Sequence, residues 1–286
     1  HYVSKRSRSQ TSVLVFLARD AEERVLCYSN AALPKSAREA EIVRFAEFYK
    51  ERTGSYPKEL VFDSQLTTYE KLDWLNQQGI RFLTLRRRSR KMLARIFSLP
   101  PSRWKQVTLK SLTRKYRTPR VLDEKVRLKG YQGELRQLSL IELGHEEPTV
   151  LLTNAMNEGQ AALITRYAHR MLIENGIAEA IHFFHLDALS SMVDLKVDFD
   201  LQITLMGSAL YRMLAARLPE NYRRAHAKTI FDNLLDLSGK VEIKDREVVV
   251  TLDHRAHNPI LAETGFLERP TPMPWFFGKE LTLRLR

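Results

Sequence analysis

Short apolar runs broken by polar turns fill the first 90 residues. SVLVFLAR at 12–19 and RVLCYSN at 24–30 are rich in Val, Leu and aromatics and are separated by the polar DAEE, which predicts two strands joined as a hairpin. In PKSAREAEIVRFAEFYKERTG, Ile42, Phe45, Ala46 and Tyr49 recur at helical spacing, with Ser36 as the candidate cap and Gly54 as the stop. Next come the apolar run ELVFD, a helix TTYEKLDWLNQQG with Tyr69, Leu72 and Leu75 on one side, and the run IRFLTLR. Strand, helix, strand of this kind predicts a βαβ unit with parallel strands. Together with the hairpin it predicts one mixed sheet over the first ~90 residues. Ligand sites of such sheets lie beyond the carboxyl ends of the parallel strands, and Asp63 falls there.

Farther along, KMLARIFSLP reads as a helix stopped by Pro100 and Pro101. VTLK, RVLDEKVRLKG and LRQLSLIELG predict a strand-rich insertion, and VLLTN at 150–154 returns to the main sheet. The pattern is helical from Glu158 to about His185 and again over 198–218. KVEIKDREVVVTLDH and ELTLRL predict strands, with Asn258-Pro259 as a turn. The expected organisation is therefore 1–89 as the N-terminal part of the core, 90–148 as the insertion, 149–218 as the rest of the core and 219–286 as a C-terminal helix and strands.

The balance of 46 Lys plus Arg against 34 Asp plus Glu gives a formal charge of +12, which favours a polyanionic partner through counterion release. With 44% hydrophobic residues among 286, the chain is long and apolar enough for a packed core. The single Cys27 lies in an apolar run and excludes a disulfide framework, which fits a reducing, cytoplasmic compartment. No stretch approaches the ~18 uninterrupted apolar residues of a membrane span, since FDLQITLMGSALYRMLAARL carries Asp200, Gln202, Arg212 and Arg217. The chain starts at His1 and its opening lacks the apolar core of a signal peptide, so the true N-terminus is expected upstream.

A second acidic candidate lies in ITRYAHRMLIENGIAEAIHFF. Tyr167, Arg170 and Glu174 stand at i, i+3 and i+7, one face of a helix at ~100° per residue. Ala168, Met171, Leu172 and Ile173 surround them, so the helix is expected to be largely buried with the polar trio facing a cleft. The competing reading is an ordinary Arg170–Glu174 ion pair on a solvated face.

RYAHRMLIEN resembles the Y-R-E-K signature of the DDE transposases of bacterial insertion sequences. LVFDSQLTTYEKLDWLNQQGIRFLTLRRR is similar to the second-Asp region of that group, and VLLTN to the strand before its Glu helix. The resemblance implies an α/β fold, a ribonuclease H-like mixed sheet flanked by helices with a strand-rich insertion before the Glu-bearing helix. It implies Asp63 as the second acid and Glu174 as the third, both ligands of Mg²⁺ or Mn²⁺, with Tyr167 and Arg170 in support. The signature Lys would fall at position 181, which is Ile181 here, and the adjacent His182 faces elsewhere by ~100°. The first acid is expected before His1, with Asp20 a weaker candidate.

The implied activity is metal-dependent cleavage and strand transfer at element ends on double-stranded DNA, in a bacterial, nucleoid-associated setting. A homodimer on DNA is left open. Arg86, Arg87, Arg88, Arg90 and Lys91, together with Lys5, Arg6 and Arg8, are candidates for sequence-independent phosphate contacts. Trp104 reads as a core residue before a base-stacking one. His182-x2-His185 with Asp187, and His254-x2-His257, carry zinc-ligand types at a weak spacing. Two alternatives stay open: a ribonuclease H-like nuclease without strand transfer, and a truncated or domesticated DNA-binding protein without catalysis.

Overall fold

The computed structural model describes residues 2–3, 8–9, 13–31, 33–63, 65, 68–109, 118–144, 147–188, 193–267 and 269–286. Along the chain run β1 (Tyr2–Val3), β2 (Arg8–Ser9), β3 (Phe16–Arg19), β4 (Leu26–Asn30), α1 (Glu41–Thr53), β5 (Glu59–Phe62), α2 (Tyr69–Gln77), β6 (Arg81–Leu85) and α3 (Arg90–Phe97). They are followed by β7 (Lys105–Gln106), β8 (Arg120–Val126), β9 (Leu135–Ile141), β10 (Thr149–Thr153), α4 (Gln160–His169), α5 (Met171–His182) and α6 (Asp194–Ala216). The C-terminal part adds α7 (Glu220–Arg223), α8 (Ala227–Ile230), β11 (Gly239–Ile243), β12 (Glu247–Leu252), α9 (Asn258–Glu263), β13 (Thr271–Met273) and β14 (Lys279–Leu285). The result is a mixed α/β protein. It forms two compact units, His1–Phe16 with Ala32–Glu174, and Leu17–Ala31 with Asn175–Arg286.

The first unit is built on a six-stranded sheet in the order β5-β6-β10-β9-β8-β7. β5 and β6 run parallel, Val61 opposite Leu83, with α2 between them in sequence, as expected of the βαβ unit. Every other neighbour in the sheet is antiparallel. The apolar runs explain the order. In β9 every residue from Leu135 to Leu140 is buried, so the strand has both faces covered and sits inside the sheet. One face carries Leu83, Val121, Leu138, Leu140 and Leu151, and α4 lays Leu163 and Ile164 on it. α3, capped by Ser89 Oγ accepting the Met92 N–H at 3.2 Å, packs Met92 and Ile96 against Val150, with Trp104 over them, so Trp104 takes the core role. VLLTN does join the main sheet: Thr153 Oγ1 donates to Phe82 O at 2.6 Å and Asn154 Oδ1 accepts the Phe82 N–H at 3.0 Å. Strands β8 and β9, from the expected insertion, are hydrogen-bonded into this same sheet.

The second unit holds the β3–β4 pair, which forms a two-stranded sheet of its own. The expectation that the hairpin extends the sheet of β5 and β6 is therefore corrected. Its apolar side is covered by helices instead, through Leu26 with Ala180 and Leu205, and Ser29 Oγ accepts from Gln202 Nε2 at 2.9 Å. Alternation along a strand fixes which face is apolar but leaves open what covers it. A second core joins Ala215, Leu218, Tyr222, Ile230 and Leu234. The tail forms a four-stranded sheet, β11-β12-β14-β13, in which β12 and β14 are parallel. Asn258-Pro259 does not make a turn; it opens α9, where a proline at the first helical positions forfeits no hydrogen bond. Ser36 likewise lies inside a 3-10 turn, Lys35–Ala37, and α1 starts only at Glu41. Among the described residues no helix is long and apolar enough to cross a membrane.

Candidate active site

Asp63 is the first residue beyond the carboxyl end of β5, where the strand's last buried side chain, Phe62, fixes the chain direction. It is half-buried, and its Oδ1 accepts the Gln65 N–H at 3.2 Å, an Asx-type contact. The helix side of the site comes from α4. Leu163 and Ile164 anchor it in the core, and Tyr167, one turn on, packs at the edge of the same cluster.

One residue that the sequence reading passed over holds this arrangement in register. Arg166 Nη1 lies 2.6 Å from Glu59 Oε1 and 2.8 Å from Glu158 Oε2, and Arg81 Nη1 reaches Glu158 Oε1 at 2.8 Å. Glu59 begins the strand that ends at Asp63, so Arg166 ties the helix bearing Tyr167 directly to the strand bearing Asp63. The pairs are half-buried, and Glu59 and Glu158 raise the Arg166 guanidinium against the opposing effect of burial. A 107-residue separation leaves no local signal of this contact in the sequence.

The single helix expected over Tyr167, Arg170 and Glu174 is two helices, with Arg170 at the break between α4 and α5. The backbone tightens there: Arg170 N–H donates to Tyr167 O, and Ile173 N–H to Arg170 O, each at 3.0 Å and each spanning three residues rather than four. The trio still stays together across the break. Arg170 Nη2 lies 3.1 Å from Glu174 Oε1, and its guanidinium carbon is 5.6 Å from the Tyr167 ring centre. α5 is less buried than its composition implied, with Ala180 its one fully buried side chain among those described and Glu174 54% exposed.

Burial pushes the Tyr167 phenol above its ordinary value; the Arg170 charge opposes this, while the charges of both Asp63 and Glu174 add to it. Two carboxylates from distant parts of the chain therefore bear on one hydroxyl. The Arg170 guanidinium leans toward that hydroxyl as a donor, but no hydrogen bond of good geometry closes on the hydroxyl or on Nε of Arg170 among the described residues. A buried donor left without an acceptor is costly unless a ligand or water completes it. Asp63, Glu174 and Tyr167 offer hard oxygens, the ligand type that Mg²⁺ or Mn²⁺ accepts. Among the described residues no group of three or more His, Cys, Asp or Glu side chains is placed to hold a metal.

The remaining candidates divide. Asp20 belongs to the β3–β4 turn, where its Oδ1 accepts the N–H groups of Glu22 and Glu23 at 2.9 and 2.7 Å. In the basic run, Arg86 donates to the buried Gln137, Arg87 approaches Glu39 at 3.5 Å and Arg88 pairs with Glu147 at 2.9 Å. Arg90 and Lys91, exposed in the first turn of α3, have no ion pair among the described residues. Lys5 and Arg6 lie outside the described residues, as does the side chain of Arg8. Ile181 is half-buried and His182 exposed, so neither supplies the missing Lys. His257 Nδ1 faces the Tyr222 hydroxyl at 3.4 Å, a structural contact. A scan against protein-family models returned no match. No curated protein matches the chain either.

Proposed function

We propose that this chain is the catalytic region of a DDE-type transposase, with a ribonuclease H-like core, acting on double-stranded DNA at insertion-sequence ends. The observation that carries the reading is the buried Tyr167 hydroxyl beside Arg170, on which Asp63, from a strand end, and Glu174, from a helix, both act. Neither carboxylate is near the other in sequence, and a merely solvated Arg170–Glu174 pair gives no reason for Asp63 to share their surroundings. Asp63 and Glu174 would hold Mg²⁺ or Mn²⁺. When bound, such an ion neutralises charge on the attacking and leaving oxygens of a phosphodiester.

The chain's own residues do the rest. Arg170 holds one oxygen of Glu174. Tyr167 offers its O–H to an oxygen in the cleft. Arg166, through Glu59, keeps strand and helix in register. Arg90 and Lys91 supply sequence-independent phosphate contacts. A non-catalytic DNA-binding role is the second reading, favoured by the count of two acids rather than three among the described residues.

The two readings separate on Asp63→Asn. A catalyst loses Mn²⁺-dependent nicking of supercoiled plasmid and weakens in Mn²⁺ binding measured by calorimetry, while its DNA affinity is kept. Equal nicking by the wild type and Asp63→Asn would overturn the catalytic reading, and so would Mn²⁺ binding that the substitution leaves unchanged.

A further inference from the structure

Helix α6 is apolar on two opposite sides. Val197, Leu201, Leu205 and Ala215 are buried within the second unit. On the other side Leu195, Phe199, Ile203, Met206, Leu210 and Met213 are exposed by 79, 64, 50, 61, 63 and 60%. From Phe199 onward the spacing is 4, 3, 4, 3, the alternation of an a/d seam with a 3.5-residue repeat. A helix that is hydrophobic all round belongs in an interior, so this second side calls for a cover.

We propose that a second copy of this chain provides it, the two α6 helices packing antiparallel about a two-fold axis near Met206. The area fits. Taking about 150–200 Å² for a bared large apolar side chain, the six at these exposures present roughly 600 Å². A standard interface buries about 800 Å² per partner, a figure the flanking polar residues complete. The patch also reaches the upper end of the ~300–600 Å² found as the largest on ordinary monomers. The seam is self-complementary: from Leu195 to Met213 it runs about 27 Å, and a second identical seam matches its repeat along that whole length.

Charge selects the antiparallel arrangement. Asp198 and Asp200 flank the seam in its N-terminal half, outweighing Lys196, whereas Arg217 is exposed at the C-terminal end and followed by the exposed Arg224, with Arg223 paired to Glu220 at 3.1 Å. Antiparallel packing sets the acidic half of one helix beside the basic end of the other; parallel packing would set like beside like. The proposal stands apart from the phosphoryl-transfer reading, because none of these residues belongs to that site.

The test is sedimentation velocity on the whole chain over a concentration series. The wild type is expected at twice the chain mass and Met206→Glu, which places two carboxylates at the axis, at once the chain mass with an unchanged far-UV circular dichroism spectrum. Met206→Leu keeps the dimer. Should Met206→Glu fail to fold, Arg217→Glu weakens the dimer and Asp198→Arg combined with Arg217→Glu restores it. A wild type that stays monomeric overturns the proposal, as does a dimer indifferent to Met206→Glu. Sedimentation of the monomer with anionic vesicles, or a stoichiometric complex with another protein, would assign the seam to a different occupant and equally overturn it.

Discussion

Replacing Arg136 by Met should be among the most damaging single changes in the first unit. Arg136 lies on β9 with its side chain 11% exposed. Its Nη2 donates to Asp123 Oδ2 at 2.7 Å and its Nε to Asp123 Oδ1 at 3.0 Å, clamping β9 to β8. Its Nη1 reaches the carbonyls of Met156 at 3.3 Å, Ala155 at 3.4 Å and Glu158, the segment that leads into α4. Met fills similar volume but leaves Asp123 with Gln160 Nε2 at 2.8 Å as its remaining donor among those contacts. Breaking a buried pair by removing one partner costs about 3–5 kcal/mol, and Asp123, 25% exposed, puts this case near the lower end.

At a urea m-value of about 3 kcal/mol/M, that lowers the midpoint by about 1 M. Intrinsic fluorescence in a Trp275→Phe background reads the first unit alone, since Trp74 and Trp104 both belong to it. The pH dependence adds a second check. Burial raises the Asp123 pKa, but hydrogen bonds from Arg136 and Gln160 and the Arg136 charge outweigh it, leaving the carboxyl below its ordinary 3.8. A depressed folded pKa gives stability that is present above the unfolded value and lost as pH falls through the folded one. The wild type should therefore lose this contribution below about pH 4, whereas in Arg136→Met the burial penalty dominates and the slope reverses. A midpoint shift under about 0.3 M, or parallel acid limbs, would refute the reasoning.

Tyr131 is pushed up to about 12 by burial and by the Asp73 charge. A raised folded pKa stabilises fully below the unfolded value of 10.0 and is lost as pH climbs toward 12, so Tyr131→Phe should flatten the alkaline limb of the stability curve. Tyr167→Phe removes a buried hydroxyl on which no hydrogen bond of good geometry closes among the described residues, and the apo protein should keep or gain up to about 1 kcal/mol by thermal denaturation. A loss above that would mean the hydroxyl is satisfied internally. Arg90→Gln with Lys91→Gln should reduce the slope of log affinity for DNA against log salt by about 2 without altering the melting temperature. Arg86→Gln, which breaks the contact with buried Gln137, should instead lower the melting temperature.

Much of the local structure could be read directly from residue order. ELVF and RFLTL became parallel neighbours with a helix between them, because a strand, helix, strand unit returns the second strand in the same direction as the first. Tyr167, Arg170 and Glu174 could be grouped because residues three and four apart stay adjacent even across the break at Arg170. The tertiary structure decided what covers each apolar face. It set the hairpin of β3 and β4 on helices rather than on the β5–β6 sheet, started a helix at Asn258-Pro259, and gave Arg86 a buried amide instead of a solvated surface. It also supplied Arg166, whose partner Glu59 lies 107 residues away. Periodicity along a chain reports the side that avoids water. Which distant segment meets that side is fixed only when the whole chain is packed.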